Sequence, residues 1–112
     1  MEVLLNKITD SIIQYREMGN KLVFEDAEQL SVLLKDLSSN LFFLESHRDT
    51  ASRKFNTILY NEIKNGNSVS GSEIVAKQEV PELYMLRRLM TSAYKVQDAI
   101  RTNISYLKQE RS

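Results

Sequence analysis

The chain has 112 residues, 42% hydrophobic and 27% charged, with 15 basic and 15 acidic side chains and no formal net charge. Cysteine is absent, which excludes disulfides and thiolate metal sites, and no apolar run approaches the ~20 residues of a membrane span. Three Gly and one Pro leave few loops, so a single helical domain over residues 1–112 is expected.

Residues 2–18 read as a first helix. Val3, Leu4, Leu5, Ile8, Ile12 and Ile13 keep helical spacing, and Tyr15 and Met18 extend it. Gly19-Asn20 ends it, because both residues tolerate positive φ, and the segment KLVFED crosses to the next helix. Asp26 is an N-cap residue, with Gln29 completing a capping box. The stripe that follows is Leu30, Leu34, Leu37, Leu41, Leu44, Arg48, Ala51, Phe55 and Ile58, in alternating steps of four and three residues. Such a repeat is the seam of antiparallel or coiled helices. Leu33, Phe42, Phe43, Leu59 and Tyr60 widen it. The helix is predicted over 27–64, stopped by NGNS with Gly66 as the C′ residue.

Ser70 to Glu73 reads as a second capping box, with Val69 and Ile74 as a hydrophobic staple. A short helix is therefore predicted over 71–79. Val80 precedes Pro81 and is pushed toward extended geometry. Pro81 suits the first turn of the last helix, and Glu82 is favourable near its positive end. Along that helix Leu86, Leu89, Met90, Ala93, Val96, Ile100, Ile104 and Leu107 share about a third of the circumference. No Gly or Pro interrupts it, and the final QERS is expected to fray. A helix of about 28 residues is ~40 Å long and needs a long partner, which residues 26–65 offer.

The expected fold is all-α: an antiparallel hairpin of two long helices, a shorter N-terminal helix packed along it, and a short helix in the connection. Leu33, Phe42, Phe43, Tyr60 and Met90 exceed what one partner helix can cover. A homodimer burying more than about 1,000 Å² in a larger bundle is expected. No signal-peptide sequence occurs at the N-terminus, and cytoplasmic residence is the expectation.

Charge is unevenly spread. Residues 1–46 carry four basic and eight acidic side chains, and residues 83–112 carry six basic and two acidic. Either the two ends attract each other, within one fold or across a dimer, or the basic end meets an acidic partner. On the last helix Arg87, Tyr94, Arg101 and Lys108 recur every seven residues beside the seam, while Arg88, Lys95, Thr102 and Tyr106 lie on the opposite side. Basic residues interleaved with tyrosine hold phosphates and stack bases, and the same pattern suits ion pairs to neighbouring helices. Arg48 is the odd member of its stripe. Either its stem lies over the seam with the guanidinium at the edge, or it is buried against Asp98 as a register pair. Asn103 holds a similar seam position.

Catalytic chemistry finds little to work with. His47 is the single histidine, and Glu45 and Asp49 point elsewhere around the helix, so no metal site and no cofactor are expected. Glu25, Asp26 and Glu28 cluster where a helix dipole favours them. No Glu-x-x-His pair occurs, and the glycines at 19, 66 and 71 fit no nucleotide motif. An enzyme is not expected.

The stretch VPELYMLRRLMTSAYKVQDAIRTNISYLKQE, with the preceding ASRKFNTILYNEIKNGNSVSGSE, resembles small helical proteins encoded by phages and prophages. The shared look is a long helix, a Gly-Ser or S-x-x-E break, and a second long helix ending near Arg101, Asn103, Ile104 and Ser105. It covers residues 50–110, carries no catalytic motif and transfers no functional residue. It implies an accessory role in a mobile element, beside recombination or replication genes. The expected function is thus a non-enzymatic interaction protein that binds a protein partner. The alternative is a nucleic-acid-binding accessory using the basic C-terminal helix, although no helix-turn-helix, RNP or zinc-finger signature supports it.

Overall fold

A computed structural model describes residues 1–18 and 26–111. Within them the chain is all-helical, with α1 over Glu2–Met18, α2 over Asp26–Lys64, α3 over Val69–Glu79 and α4 over Glu82–Arg111. No helix among the described residues is long and apolar enough to cross a membrane. The expected stop at Gly19-Asn20 and the KLVFED crossing lie outside the described residues. α2 begins at Asp26, and Asp26 and Glu28 occupy the acidic first turn that the dipole favours.

α2 holds 39 residues, a run of about 58 Å at ~1.5 Å per residue. It ends where the sequence places the stop. Gly66 has φ +96°. Its N–H donates to the Ile63 carbonyl at 3.0 Å, and the Asn67 N–H donates to the Glu62 carbonyl at 3.1 Å. These two bonds are the Schellman pattern, which satisfies carbonyls that the helix itself leaves open. The Asn67 side-chain amide also donates to the Glu62 carboxylate.

α3 begins two residues earlier than its serines suggested. The N-cap is Ser68, not Ser70, and its hydroxyl accepts the Gly71 N–H at 3.1 Å. A Cβ on residue 71 would lie 3.0 Å from that hydroxyl, so Gly71 leaves the cap its room. With Ser68 as cap, Val69 becomes the first helical residue and Ile74 the sixth, on different sides of the helix. Both are 58% exposed, and the expected staple does not form. The helix closes at Val80, whose N–H donates to the Ala76 carbonyl at 2.9 Å. Pro81 follows as a turn and α4 starts at Glu82. α4 then stays helical through Arg111, beyond the expected fraying point.

The chain divides into two compact units. Unit 1 is Met1–Leu44 with Leu89–Ser112, and unit 2 is Glu45–Arg88. In unit 1 the core is aliphatic: Ile8 and Ile12 from α1; Leu30, Leu33, Leu37, Leu41 and Leu44 from α2; Met90, Ala93, Val96, Ile100 and Leu107 from α4. The spacing on each helix is the three-and-four pattern of a single apolar face. Leu33 is buried in place of the expected Leu34, a shift of one position around α2. Two neutral hydrogen bonds cross this unit. Gln97 Nε2 donates to Ser38 Oγ at 2.7 Å, and Asn103 Nδ2 donates to Tyr15 Oη at 2.6 Å.

In unit 2 the buried set is smaller: Ala51, Ser72, Ala76, Val80, Leu83 and Leu86. Ser72 is fully buried, and its hydroxyl donates to the Ser68 carbonyl at 2.7 Å, so the polar atom is satisfied within α3. Phe55, Ile58 and Leu59 are half-buried around this set.

The two helix-end devices give direct tests. Gly66→Ala forces an L side chain into positive φ and should destabilise the chain by about 1–2 kcal/mol. Ser68→Ala removes a cap and should cost about 1 kcal/mol. Urea denaturation of both variants checks these values.

Candidate functional site

The described surface offers three places where chemistry could act. The first is a groove in unit 2, at the corner where α3 ends and α4 begins. Val80 and Leu83, both nearly fully buried, line its depth. Phe55 contributes an aromatic edge from α2, and Pro81 and Tyr84 stand exposed beside it. Lys77 from α3 and Arg87 from α4 complete the lining. The open groove has a volume of about 490 Å³. At the corner Val80 leaves the helix at φ −129°, ψ 63°, outside the α region that the following proline disfavours but short of the fully extended geometry expected of it. Tyr84 is 69% exposed, and the Arg88 guanidinium lies 5.7 Å from its ring centroid, a cation–π distance.

The second place is a pair of exposed aromatics on α2 within unit 1. Phe42 and Phe43 are 69% and 57% exposed, with ring centroids 5.7 Å apart in an edge-to-face arrangement. Position 41 and position 44 on either side are buried leucines, so the helix turns its two phenylalanines outward as a consequence of the register that buries its seam.

The third is a polar cleft between α1 and α2 in unit 1. Lys7, Asp10, Ser11, Asp36, Ser39 and Asn40 line about 390 Å³. Among the described residues no group of three or more His, Asp or Glu is arranged to hold a metal ion. His47 is exposed on α2.

The basic residues expected on the last helix fall into two sets. In unit 2, Arg87 and Arg88 are exposed, Arg87 lining the groove and engaged with a neighbour, Arg88 lying over Tyr84. In unit 1, Lys95, Arg101, Tyr106 and Lys108 are exposed, whereas Tyr94 is half-buried and engaged. Arg101 Nη1 lies 3.5 Å from Asp98 Oδ1, so part of its charge is met within its own helix.

Arg48 lies in unit 2 and Asp98 in unit 1, and each has a charged partner close in sequence. Arg48 donates from Nε and Nη2 to Asp49 Oδ1, at 3.3 and 3.1 Å. Asp98 is 78% exposed and turned to Arg101. The charges meet partners close in sequence and stay in water, where no desolvation penalty has to be overcome. Neutral side chains join the helices of unit 1 instead, through Ser38 with Gln97 and Tyr15 with Asn103. Asn103 stood out in the sequence as a polar seam residue. Its partner Tyr15 did not, because no local pattern links positions 88 residues apart. The groove was missed for a related reason: Phe55 meets the Val80-Pro81 corner only after folding.

No family model, curated protein or solved structure matches the chain.

Because both members of the Arg48–Asp49 pair reach solvent, Arg48→Ala should change stability by less than about 1 kcal/mol. A thermal melt of the variant beside wild type checks this.

Proposed function

We propose that this chain is a non-enzymatic helical interaction protein, which self-associates as a homodimer and binds a protein partner in the service of a phage or other mobile element. The observation that carries the reading is the outward pair Phe42 and Phe43. Two adjacent phenylalanines bring large apolar area to water, and contiguous patches of this kind mark interaction surfaces. The resemblance of residues 50–110 to phage-encoded helical proteins supports the accessory role. The Ser38–Gln97 bond within unit 1 and the short α3 connection support α2 and α4 as antiparallel arms of one hairpin.

Light scattering at micromolar concentration tests self-association. Wild type should give twice the monomer mass, and Phe42→Ser with Phe43→Ser should return it to the monomer. Both positions are exposed, so the melt of the variant should still show a folded chain. A monomeric wild type overturns the self-association.

The exposed basic residues of α4, Lys95 beside Tyr106 on one side and Arg101 with Lys108 on the other, support the second reading, a nucleic-acid-binding accessory. The Asp98 contact to Arg101 weighs against it. Lys95→Glu with Lys108→Glu should abolish any DNA or RNA binding, and wild-type affinity should fall steeply with salt. Absence of wild-type binding at low salt removes this reading.

A further inference from the structure

We infer that the corner groove of unit 2 is the docking site for an acidic peptide segment of a partner protein, one that inserts an aliphatic or aromatic side chain between Phe55 and Tyr84 and sets a carboxylate against Lys77. The inference rests on the reading of the chain as an interaction protein and names the chemistry of the partner.

Three features of the groove select this occupant. Its lining is mainly apolar: Phe55, Val80, Pro81, Leu83 and Tyr84. Burying an anchor side chain against such a lining is what drives peptide docking, and aromatic-lined pockets are where anchors sit. The charged residues of its lining are both basic: Lys77, and Arg87, which is already engaged with a neighbour, while Arg88 lies over the Tyr84 ring beside it. A partner with Asp or Glu next to its anchor meets complementary potential, and one with Lys or Arg there is repelled. Its volume of about 490 Å³ falls within the range of roughly 300–1,000 Å³ that bound groups fill.

The surroundings agree with a preformed site. The backbone corner is fixed by Pro81, by the Val80 N–H bond to Ala76 and by the Leu83 N–H contact to the Val80 carbonyl at 3.4 Å. The Arg88 guanidinium lies 5.7 Å from the Tyr84 ring centroid at the groove's edge. A nucleic-acid strand fits less well, because only two of the lining residues carry charge and the deep ones are aliphatic.

The test uses the full chain and a displayed library of random 12-residue peptides. The enriched sequences should combine a Leu, Ile, Phe or Trp with at least one Asp or Glu within four positions. The most enriched peptide, synthesised with a fluorescein label, is then measured by fluorescence polarisation. Lys77→Glu and Tyr84→Ala should each weaken binding roughly tenfold, with melts close to wild type because both positions are exposed. Replacing the peptide's acidic residue by Lys should restore binding to the Lys77→Glu chain and lose it to wild type. Enriched peptides that bind both variants as tightly as wild type overturn the groove and leave the interaction reading standing. Basic or uncharged consensus sequences overturn the charge argument. A library that yields no binder, together with a monomeric wild type, overturns the groove and the interaction reading alike.

Discussion

A helix as long as α2 carries no internal reason to end at Lys64. Its neighbours Asn61, Glu62 and Ile63 are compatible with another turn, and the chain must reverse within a few residues if α3 and α4 are to pack at all. The reversal is made by backbone geometry at Gly66, which holds φ +96°. A Cβ there would touch nothing within 4 Å. The requirement for glycine is therefore conformational and not one of space. Once the Gly66 and Asn67 amides have closed onto Ile63 and Glu62, Ser68 is in place to cap α3, and α3 in turn sets up the Val80-Pro81 corner. The groove of unit 2 is thus the last product of a sequence of local backbone commitments.

The two units are built on different kinds of packing. Unit 1 buries large aliphatic side chains on three helices, and burying each contributes about 1.5–3 kcal/mol before entropy is counted. Unit 2 buries Val80, Leu83 and Leu86 beside the smaller Ala51, Ser72 and Ala76. Its buried apolar set is smaller than that of unit 1. Regions with few buried apolar contacts open at lower free energy than the core, and binding surfaces are commonly drawn from them.

Much of this was legible in the sequence, and what was not has a physical reason. Helix positions follow from period and punctuation: α1 and α2 lie within a residue of their expected bounds, Gly66 stops α2, and α4 differs mainly in staying helical through Arg111. The core face of α4 follows too, through Leu86, Met90, Ala93, Val96, Ile100 and Leu107. The start of α3 is harder to read because several serines in a row can cap, and the structure uses Ser68, whose hydroxyl accepts the Gly71 N–H, rather than Ser70. Arg48 drew attention as a charge on an apolar stripe, yet Asp49 beside it offers a partner at no burial cost. Surface groups such as the Phe55–Tyr84 groove depend on contacts between separate helices, and no periodicity encodes those.

The bonds that cross unit 1, Ser38 with Gln97 and Tyr15 with Asn103, join uncharged groups. The ion pairs Arg48–Asp49 and Asp98–Arg101 each stay inside one helix. Mobile ions screen charge but leave neutral hydrogen bonds and apolar packing largely untouched. The two interhelical bonds described in unit 1 should therefore respond less to ionic strength than the two ion pairs do.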